Sequence, residues 1–252
     1  MDYDLLLQTI LDIGEEMVVA GAEVSRVEDS MERMCRAYGM DRVNVFLIVS
    51  NLQVTVQTPD GRIHTQIRTI VRNDVNFDRL DYLNDLSRYV TANQPDVEEM
   101  KRKLEAVLNR PKQSPLLGVF GAICAASGFT VFFGGNIGDA VAAAFMAVFI
   151  VSLRWLIARQ ERNQLVLNFI VSLAAGIAAY ILVDFHIGIH PGLIMMGGIM
   201  LLIPGIAMTN AVRDMLTGDV ASGLLRLSNA LLTAAAIACG FALAIVLLGG
   251  AL

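Results

Sequence analysis

The sequence predicts a membrane α-helical protein, five transmembrane helices preceded by a small α+β cytosolic domain. Three observations carry this expectation. The C-terminal half holds five uncharged apolar stretches, Gln113 to Gly138, Ala140 to Leu153, Asn163 to Val183, Phe185 to Val212 and Leu227 to Leu252. At 55% hydrophobic residues and a mean hydropathy of +0.58, the 252-residue chain is too apolar for one water-soluble domain. Charge is partitioned as well: residues 1–111 carry 13 basic and 19 acidic residues, a net −6, whereas residues 112–252 carry six basic and five acidic ones.

The head opens with a helix from about Asp2 to Val19, in which Leu6, Ile10, Ile13 and Met17 recur at helical spacing. Gly21 interrupts it. A second helix runs from about Val24 to Gly39, with Val24, Val27, Met31 and Met34 on one face and the pairs Asp29/Arg33 and Glu32/Arg36 at i,i+4 on the other. Val43 to Val49 and Leu52 to Thr58 are β-branched and alternating. The turn Pro59-Asp60-Gly61 then returns the chain through Ile63, Thr65, Ile67, Thr69 and Val71, which predicts a small antiparallel sheet. Helices resume from about Phe77 to Thr91 and, with Pro95 at a helix start, from about Asp96 to Leu108, before Pro111 stops the chain. A cytosolic domain over 1–111 and a transmembrane domain over 112–252 follow.

Each apolar stretch can cross roughly 30 Å of hydrocarbon as about 20 helical residues, the second extended by Trp155, Leu156 and Ile157. Spans are expected at about 115–134, 138–158, 164–183, 192–212 and 227–249. Gly134, Gly135, Gly176, Gly197, Gly198 and Gly240, with alanine runs at 140–144 and 234–236, suit close helix approach in lipid. Lys112, Arg154, Arg159, Arg162, Arg213 and Arg226 fall before the first span and around the second and fourth connections. The connections at 134–139 and 184–191 contain no Lys or Arg. By the positive-inside rule the N-terminus is cytoplasmic and the C-terminus external in a bacterial inner membrane. The acidic start of the chain lacks the basic n-region of an export signal, so the head is expected to stay inside. Cys35, Cys124 and Cys239 are scattered singles, expected to be small packing residues rather than a disulfide or metal framework.

Two segments, far apart in sequence, carry a resemblance. One is Gly21-Ala22-Glu23-Val24-Ser25-Arg26-Val27-Glu28-Asp29 through Tyr38-Gly39. The other is Pro204-Gly205 followed by Thr209-Asn210-Ala211, Arg213-Asp214, Gly218-Asp219, Ser222-Gly223 and Arg226. Together they resemble the signatures of threonine/serine exporters, over nearly the whole chain. The resemblance implies a secondary exporter driven by the proton gradient. In fused members of that family the head and five spans are followed by a second five-span module; split members supply it as a small membrane subunit, and such pairs include succinate exporters. A small partner subunit is therefore expected, with a higher oligomer left open. Five spans agree with this, because transporters commonly enclose a midplane site between two repeats.

The fourth span is where the residues themselves point to chemistry. Pro204-Gly205 interrupts an apolar run and frees backbone groups at membrane depth, where they must line protein or water. Thr209, Asn210, Arg213 and Asp214 follow, and hydrocarbon disfavours each central charge by roughly 2.5–3.5 kcal/mol. With helix-terminal N–H groups, Arg213, Arg226 and, from the head, Arg26 could hold the carboxylate shared by amino acids and dicarboxylates. The plainer alternative is a cytoplasmic loop beyond a span ending near Val212, its charges paired with one another. For the proton, Asp139, Asp184, Asp214 and Asp219 are candidates, because desolvation raises a carboxylate's pKa toward the physiological range; Asp214 and Asp219 rank first because they sit beside the proposed site, whereas Asp139 and Asp184 lie at expected external ends, where a solvated loop acid is the plainer reading. Glu23, Ser25 and Glu28 carry the head signature and could gate the cytoplasmic vestibule or meet the partner.

Asp184, His186 and His190 form a D-x-H-x-x-x-H run that could bind a metal if helical, although Gly188 and Pro191 oppose that helix; a structural turn is the favoured reading, ahead of a proton relay on the external side. This run is the basis of one alternative, a membrane-embedded metal-dependent hydrolase. Another is a ligand-sensing membrane protein that moves nothing. No cofactor is expected, since the sequence has no HExxH, nucleophile elbow or phosphate loop. The acidic head disfavours nucleic acid.

Overall fold

The computed structural model describes residues 2–48, 50–71, 74–111, 114–157, 161 and 163–249. Val49, Lys112, Gln113, Ala158, Arg159, Arg162 and the C-terminal residues 250–252, on which some of the expectations above rest, lie outside the described residues. In chain order the elements are α1 (Tyr3–Val19), α2 (Val24–Ala37), β1 (Asp41–Ile48), β2 (Asn51–Gln57), β3 (Ile63–Thr69), α3 (Phe77–Asn93), α4 (Val97–Leu108), α5 (Pro115–Phe132), α6 (Ile137–Ile157), α7 (Gln164–Asp184), α8 (Pro191–Ile199), α9 (Gly205–Leu216) and α10 (Val220–Leu248). They fall into two compact units, Met1–Pro111 with Ala207–Leu227, and Lys112–Ile206 with Ser228–Leu252. The head unit is thus larger than residues 1–111: most of α9 and the first turns of α10 cluster with it.

In the head unit α1 is the central rod. Asp2 caps it by accepting from the N–H groups of Asp4 and Leu5 at 3.1 Å. Leu6, Ile10, Ile13 and Met17 are fully buried at the expected helical spacing, and Leu7 and Leu11 are buried beside them. Burial on several faces follows from packing against α2, α3, α4 and the sheet at once. Gly21 takes a left-handed φ of 97° and separates α1 from α2, which a residue with a Cβ would adopt only under strain. The sheet is an antiparallel meander in the order β1-β2-β3. Leu47, Leu52, Val54 and Val56 supply its buried face, and the Thr58 N–H closes the second hairpin by donating to the Arg62 carbonyl at 2.9 Å. Asn76 and Asp96 cap α3 and α4 through the Arg79 and Glu99 N–H groups. Cys35 is a fully buried packing residue, as expected.

Among the described residues four helices, α5, α6, α7 and α10, are long and apolar enough to cross a membrane, and the second unit holds the first three and α10 from Ser228 onward. The expected fourth span over 192–212 is not one helix. It divides into α8, nine residues and therefore about 14 Å long, a turn at 200–204, and α9. Pro204 has no N–H to continue the ladder, and the regular α-helix already ends at Ile199, earlier than Pro204-Gly205 alone predicts. Among the described residues the helices pack through small side chains: Ala142, Ala143, Ala147, Ala175 and Ala179 are fully buried with Met146, Val171 and Ile194. Gly197 of α8 lies against Thr130 and Ala126 of α5, and Gly240 of α10 against Ser172 and Phe169 of α7. The outer faces are apolar, with Phe120, Phe132 and Ile137 exposed. Cys124 and Cys239 lie on such faces and are exposed rather than packed, a departure from the sequence expectation.

Candidate functional site

Within the head unit the two signature segments meet. The elbow between α1 and α2 gives up several backbone groups at Gly21 to Val24, because α1 has ended and Glu23 supplies no side-chain cap to α2. Partners arrive in order from α9 and α10. The Asn210 amide donates to the Gly21 carbonyl at 3.2 Å, and Arg226 donates to the Ala22 carbonyl at 3.3 Å. Arg213 Nη1 meets Glu23 Oε1 at 2.7 Å, and the Val24 N–H donates to Asp214 Oδ1 at 3.4 Å. Asp214 therefore caps α2 from outside the helix, where a negative charge is favoured by the helix dipole.

Asp214 is 1% exposed and pairs through Oδ2 with Arg226 Nε at 3.3 Å. Burial pushes its carboxyl above the ordinary carboxylate range; Arg226 and the Val24 N–H pull against that shift, while Asp219 and Glu23 add to it. A second contact pins β1 to the same cluster. The Leu47 N–H donates to Glu28 Oε1 at 3.0 Å, and Ser222 Oγ donates to the Leu47 carbonyl at 3.1 Å. Glu28 is also raised, first by burial and then by Asp219 and Asp214, against the Leu47 hydrogen bond. The cluster holds four carboxylates, Glu23, Glu28, Asp214 and Asp219, and two guanidinium groups, Arg213 and Arg226. Each arginine already carries a carboxylate of the chain. An incoming anion must displace one or find it protonated.

Of the expected substrate residues, Asn210, Arg213 and Arg226 are thus gathered around the elbow. Thr209 lies on α9 beside them in sequence, and Pro204 and Gly205 precede and open that helix. Arg26 is not gathered with them. It stands on α2 two residues from both Val24 and Glu28, about 200° around the helix from each, and faces α3. Of the signature residues Glu23 and Glu28 join the cluster, and Ser25 sits in the first turn of α2. The polar segment expected inside a span near Val212 is, from Ala207 onward, part of the head unit. The sequence contained no sign that its partners would be backbone carbonyls of residues almost two hundred positions away, nor that Glu28 and Ser222 would share Leu47.

The other two acids lie in the second unit. Asp139 is fully buried at the start of α6 and accepts from the N–H groups of Ile189 (2.7 Å), His190 (2.9 Å) and Asn136 (3.0 Å). His190 Nδ1 approaches its Oδ2 at 2.9 Å. This carboxylate ties the 184–191 connection to the mouth of α6. Asp184 takes no part in it, and His186 has a left-handed φ of 62°, so the D-x-H-x-x-x-H run is not helical. No group of three or more His, Cys, Asp or Glu among the described residues could hold a metal.

The chain matches the model of the threonine/serine exporter family, ThrE, over residues 8–248. It is 26% identical over 248 residues to a Mycobacterium tuberculosis protein named "Probable threonine/serine exporter", covering 94% of this chain and 46% of that relative. To the "Threonine/serine exporter" of Corynebacterium glutamicum it is 24% identical, covering 92% and 49%. To the "Probable succinate transporter subunit YjjP" of Klebsiella aerogenes it is 26% identical over 234 residues, covering 91% and 88%. The chain spans about half the length of the first two relatives and most of the third. No solved structure matches. The family is one of membrane exporters and not of enzymes, which displaces the hydrolase reading of Asp184, His186 and His190. By this match, across nearly its full length, the chain belongs to the threonine/serine exporter family.

Proposed function

We propose that this chain is one module of a secondary exporter of small carboxylate-bearing metabolites, threonine and serine or a succinate-type dicarboxylate, driven by the proton-motive force. A second membrane module completes it. The relatives of about twice the length and the word "subunit" in the name of the similarly sized one support that arrangement. The proposed topology places the head in the cytoplasm of a bacterial cell and the C-terminus outside, on the distribution of Lys and Arg. It has five crossings, the fourth an interrupted one in which α8 is followed by the turn at 200–204 and then α9 rather than by a straight helix.

The observation that carries the coupling is the buried Asp214–Arg226 pair, a carboxylate that burial pushes above its ordinary range against an arginine whose side chain is only 14% exposed. Ionised, Asp214 occupies Arg226. Protonated, it leaves the guanidinium open to a substrate carboxylate, with Arg213 beside it. Proton and anion then bind together, each raising the other's affinity. For a dianion that accepts one proton the complex still carries one negative charge outward, which the inside-negative potential favours by about 2.3 kcal/mol per 100 mV, while the outgoing proton runs against the pH difference, so the electrical part of the proton-motive force drives this substrate. An amino acid's ammonium group would instead compete with the proton for Asp214, which gives exchange of substrate out for proton in. Asp219 and Glu23, whose charges add to the upward shift of Asp214, tune its proton affinity.

Counterflow in proteoliposomes tests the proposal, with labelled threonine, serine and succinate under an imposed pH gradient, with and without a coexpressed small membrane subunit. Gradient-dependent uptake of one substrate only with the subunit is expected. Full activity of this chain alone would overturn the two-module claim, and wild-type flux in well-expressed Arg213→Ala and Asp214→Asn variants would remove the coupling site.

A further inference from the structure

The second unit holds polar acceptors that nothing in it serves. Asn168 of α7 is 5% exposed, and its side-chain oxygen is buried with no hydrogen-bond partner among the described residues, although such groups are nearly always paired. It stands in the middle of the buried face of α7, with Leu167 and Val171 to one side and Ser172 to the other. The buried hydroxyls of this unit are committed elsewhere: Thr130 Oγ1 donates to the Ala126 carbonyl and Ser172 Oγ to the Phe169 carbonyl. Asn168 is left as an acceptor in apolar surroundings with no donor to meet it.

The interrupted fourth span adds to the same surplus. α7 and α8 pack together and leave the 185–190 connection in opposite directions. α8 ends after about 14 Å, whereas Asn168 lies about 24 Å along α7 from Asp184, so the chain following α8 stands at its level. Leu202 of the 200–204 turn is buried in one core with Leu167 and Val171. The N–H groups of Leu201, Leu202 and Ile203 bond back to the Gly198 and Ile199 carbonyls, and among the described residues the carbonyls of Met200, Leu201 and Leu202 accept no backbone N–H. Carbonyls at membrane depth must meet protein or water. The C-terminal end of α8, the negative end of its dipole, opens onto the same turn. Residues 164–183 and 191–206 contain no Asp, Glu, Lys or Arg. Neutral oxygens and a negative helix end without a charged donor suit a cation; with no carboxylate, on which divalent ions draw, they suit a monovalent one.

We infer that Asn168 and the 200–204 turn form a binding site for an alkali cation, held by Asn168 Oδ1 and the carbonyls of Met200, Leu201 and Leu202. The site does not rest on the transported substrate or on proton coupling at Asp214. Thermal melting of the purified full-length chain in nanodiscs of zwitterionic lipid tests it, with NaCl or KCl replacing choline chloride at constant ionic strength, because a ligand of the folded state raises its melting temperature. A saturable rise in NaCl or KCl over choline chloride is expected, with a half-saturating concentration at least tenfold higher in Asn168→Leu. In choline chloride that variant melts at or above wild type, since it removes an unpaired buried oxygen, so its lost response is not a lost fold. Asn168→Asp is expected to bind the cation at least tenfold more tightly at pH 8, which a packing role would not produce. No rise over choline chloride would assign the Asn168 oxygen to an ordered water and overturn the inference, as would the same rise in Asn168→Leu. A rise lost in Asp214→Asn but kept in Asn168→Leu would place the cation at the head cluster and overturn it as well.

Discussion

Replacing Asp214 by Asn tests whether the Asp214–Arg226 pair holds the head unit together. The substitution keeps an oxygen for the Val24 N–H but removes the charge that faces Arg226 Nε at 3.3 Å. Removing one partner of a buried pair costs about 3–5 kcal/mol, because the other charge is left uncompensated. Arg226 keeps the Ala22 carbonyl, so the low end applies, about 3 kcal/mol. Cys35 gives a direct assay, since it is fully buried in the head core and its thiol is pushed up to about 12 by burial and by Glu32. It reacts only when the core opens. With Cys124 and Cys239 replaced, the Cys35 labelling rate follows the open fraction, and about 3 kcal/mol corresponds to a roughly hundredfold faster rate, a factor of ten per 1.4 kcal/mol. Arg226→Met added to Asp214→Asn is expected to recover most of the loss, because no bare charge remains. Labelling within threefold of wild type in Asp214→Asn would refute the claim that the pair secures 207–227 within the head.

Three further outcomes follow from the same geometry. Glu28→Gln keeps an acceptor for the Leu47 N–H and removes a carboxylate held above its ordinary pKa. A raised group contributes stability below its unfolded pKa and loses it as pH rises through the folded one, so the variant melts higher than wild type near pH 8 and equally near pH 4. An unchanged difference across that range would sink the assignment. Asp139→Ala leaves the N–H groups of Asn136, Ile189 and His190 without their acceptor, at about 1–3 kcal/mol each where buried. It is expected to lower the melting temperature far more than His190→Gln, whose side chain is 55% exposed, and equal effects would contradict the role of the backbone donors. Gly197→Ala drives a methyl group into Thr130 and the Ala126 carbonyl, whereas Gly192→Ala meets nothing within 4 Å. The first is expected to reduce the yield of folded protein in detergent and the second to leave it unchanged.

Much of the head was legible because its elements are local. Leu6, Ile10, Ile13 and Met17 show a helical period, the alternation of Val54 and Val56 shows a strand, and Pro59-Asp60-Gly61 shows a turn; each follows from a few neighbouring residues. The apolar helices were legible from length and composition, except the fourth. There hydropathy reports how apolar the residues from Phe185 to Val212 are but not whether one helix runs through them, and α8 stops at Ile199. The site was legible as a list of residues and not as an arrangement. Pairing within the segment was legible as an alternative, and Arg226 does pair with Asp214 twelve positions away, whereas the partner of Arg213, Glu23, lies 190 residues off and leaves no local sign.

That pairing changes what the charged segment after α8 can be. A substrate cradle inside the bilayer would need its arginines open, yet Arg213, Asp214 and Arg226 are spent on the elbow that joins α1 to α2. Each contact goes to a different elbow residue, so the segment cannot shift along the elbow by one position without losing all of them together. Neutralising one charge loosens the whole set, since an unpaired Arg226 beside Asp219 and Glu23 seeks another carboxylate. The place where a proton and a carboxylate can substitute for one another is therefore also the place where the head grips 207–227. Binding at this cluster and movement of that segment are, on these contacts, the same event, and labelling of Cys35 accelerated by substrate in the wild type but not in Asp214→Asn would be its signature.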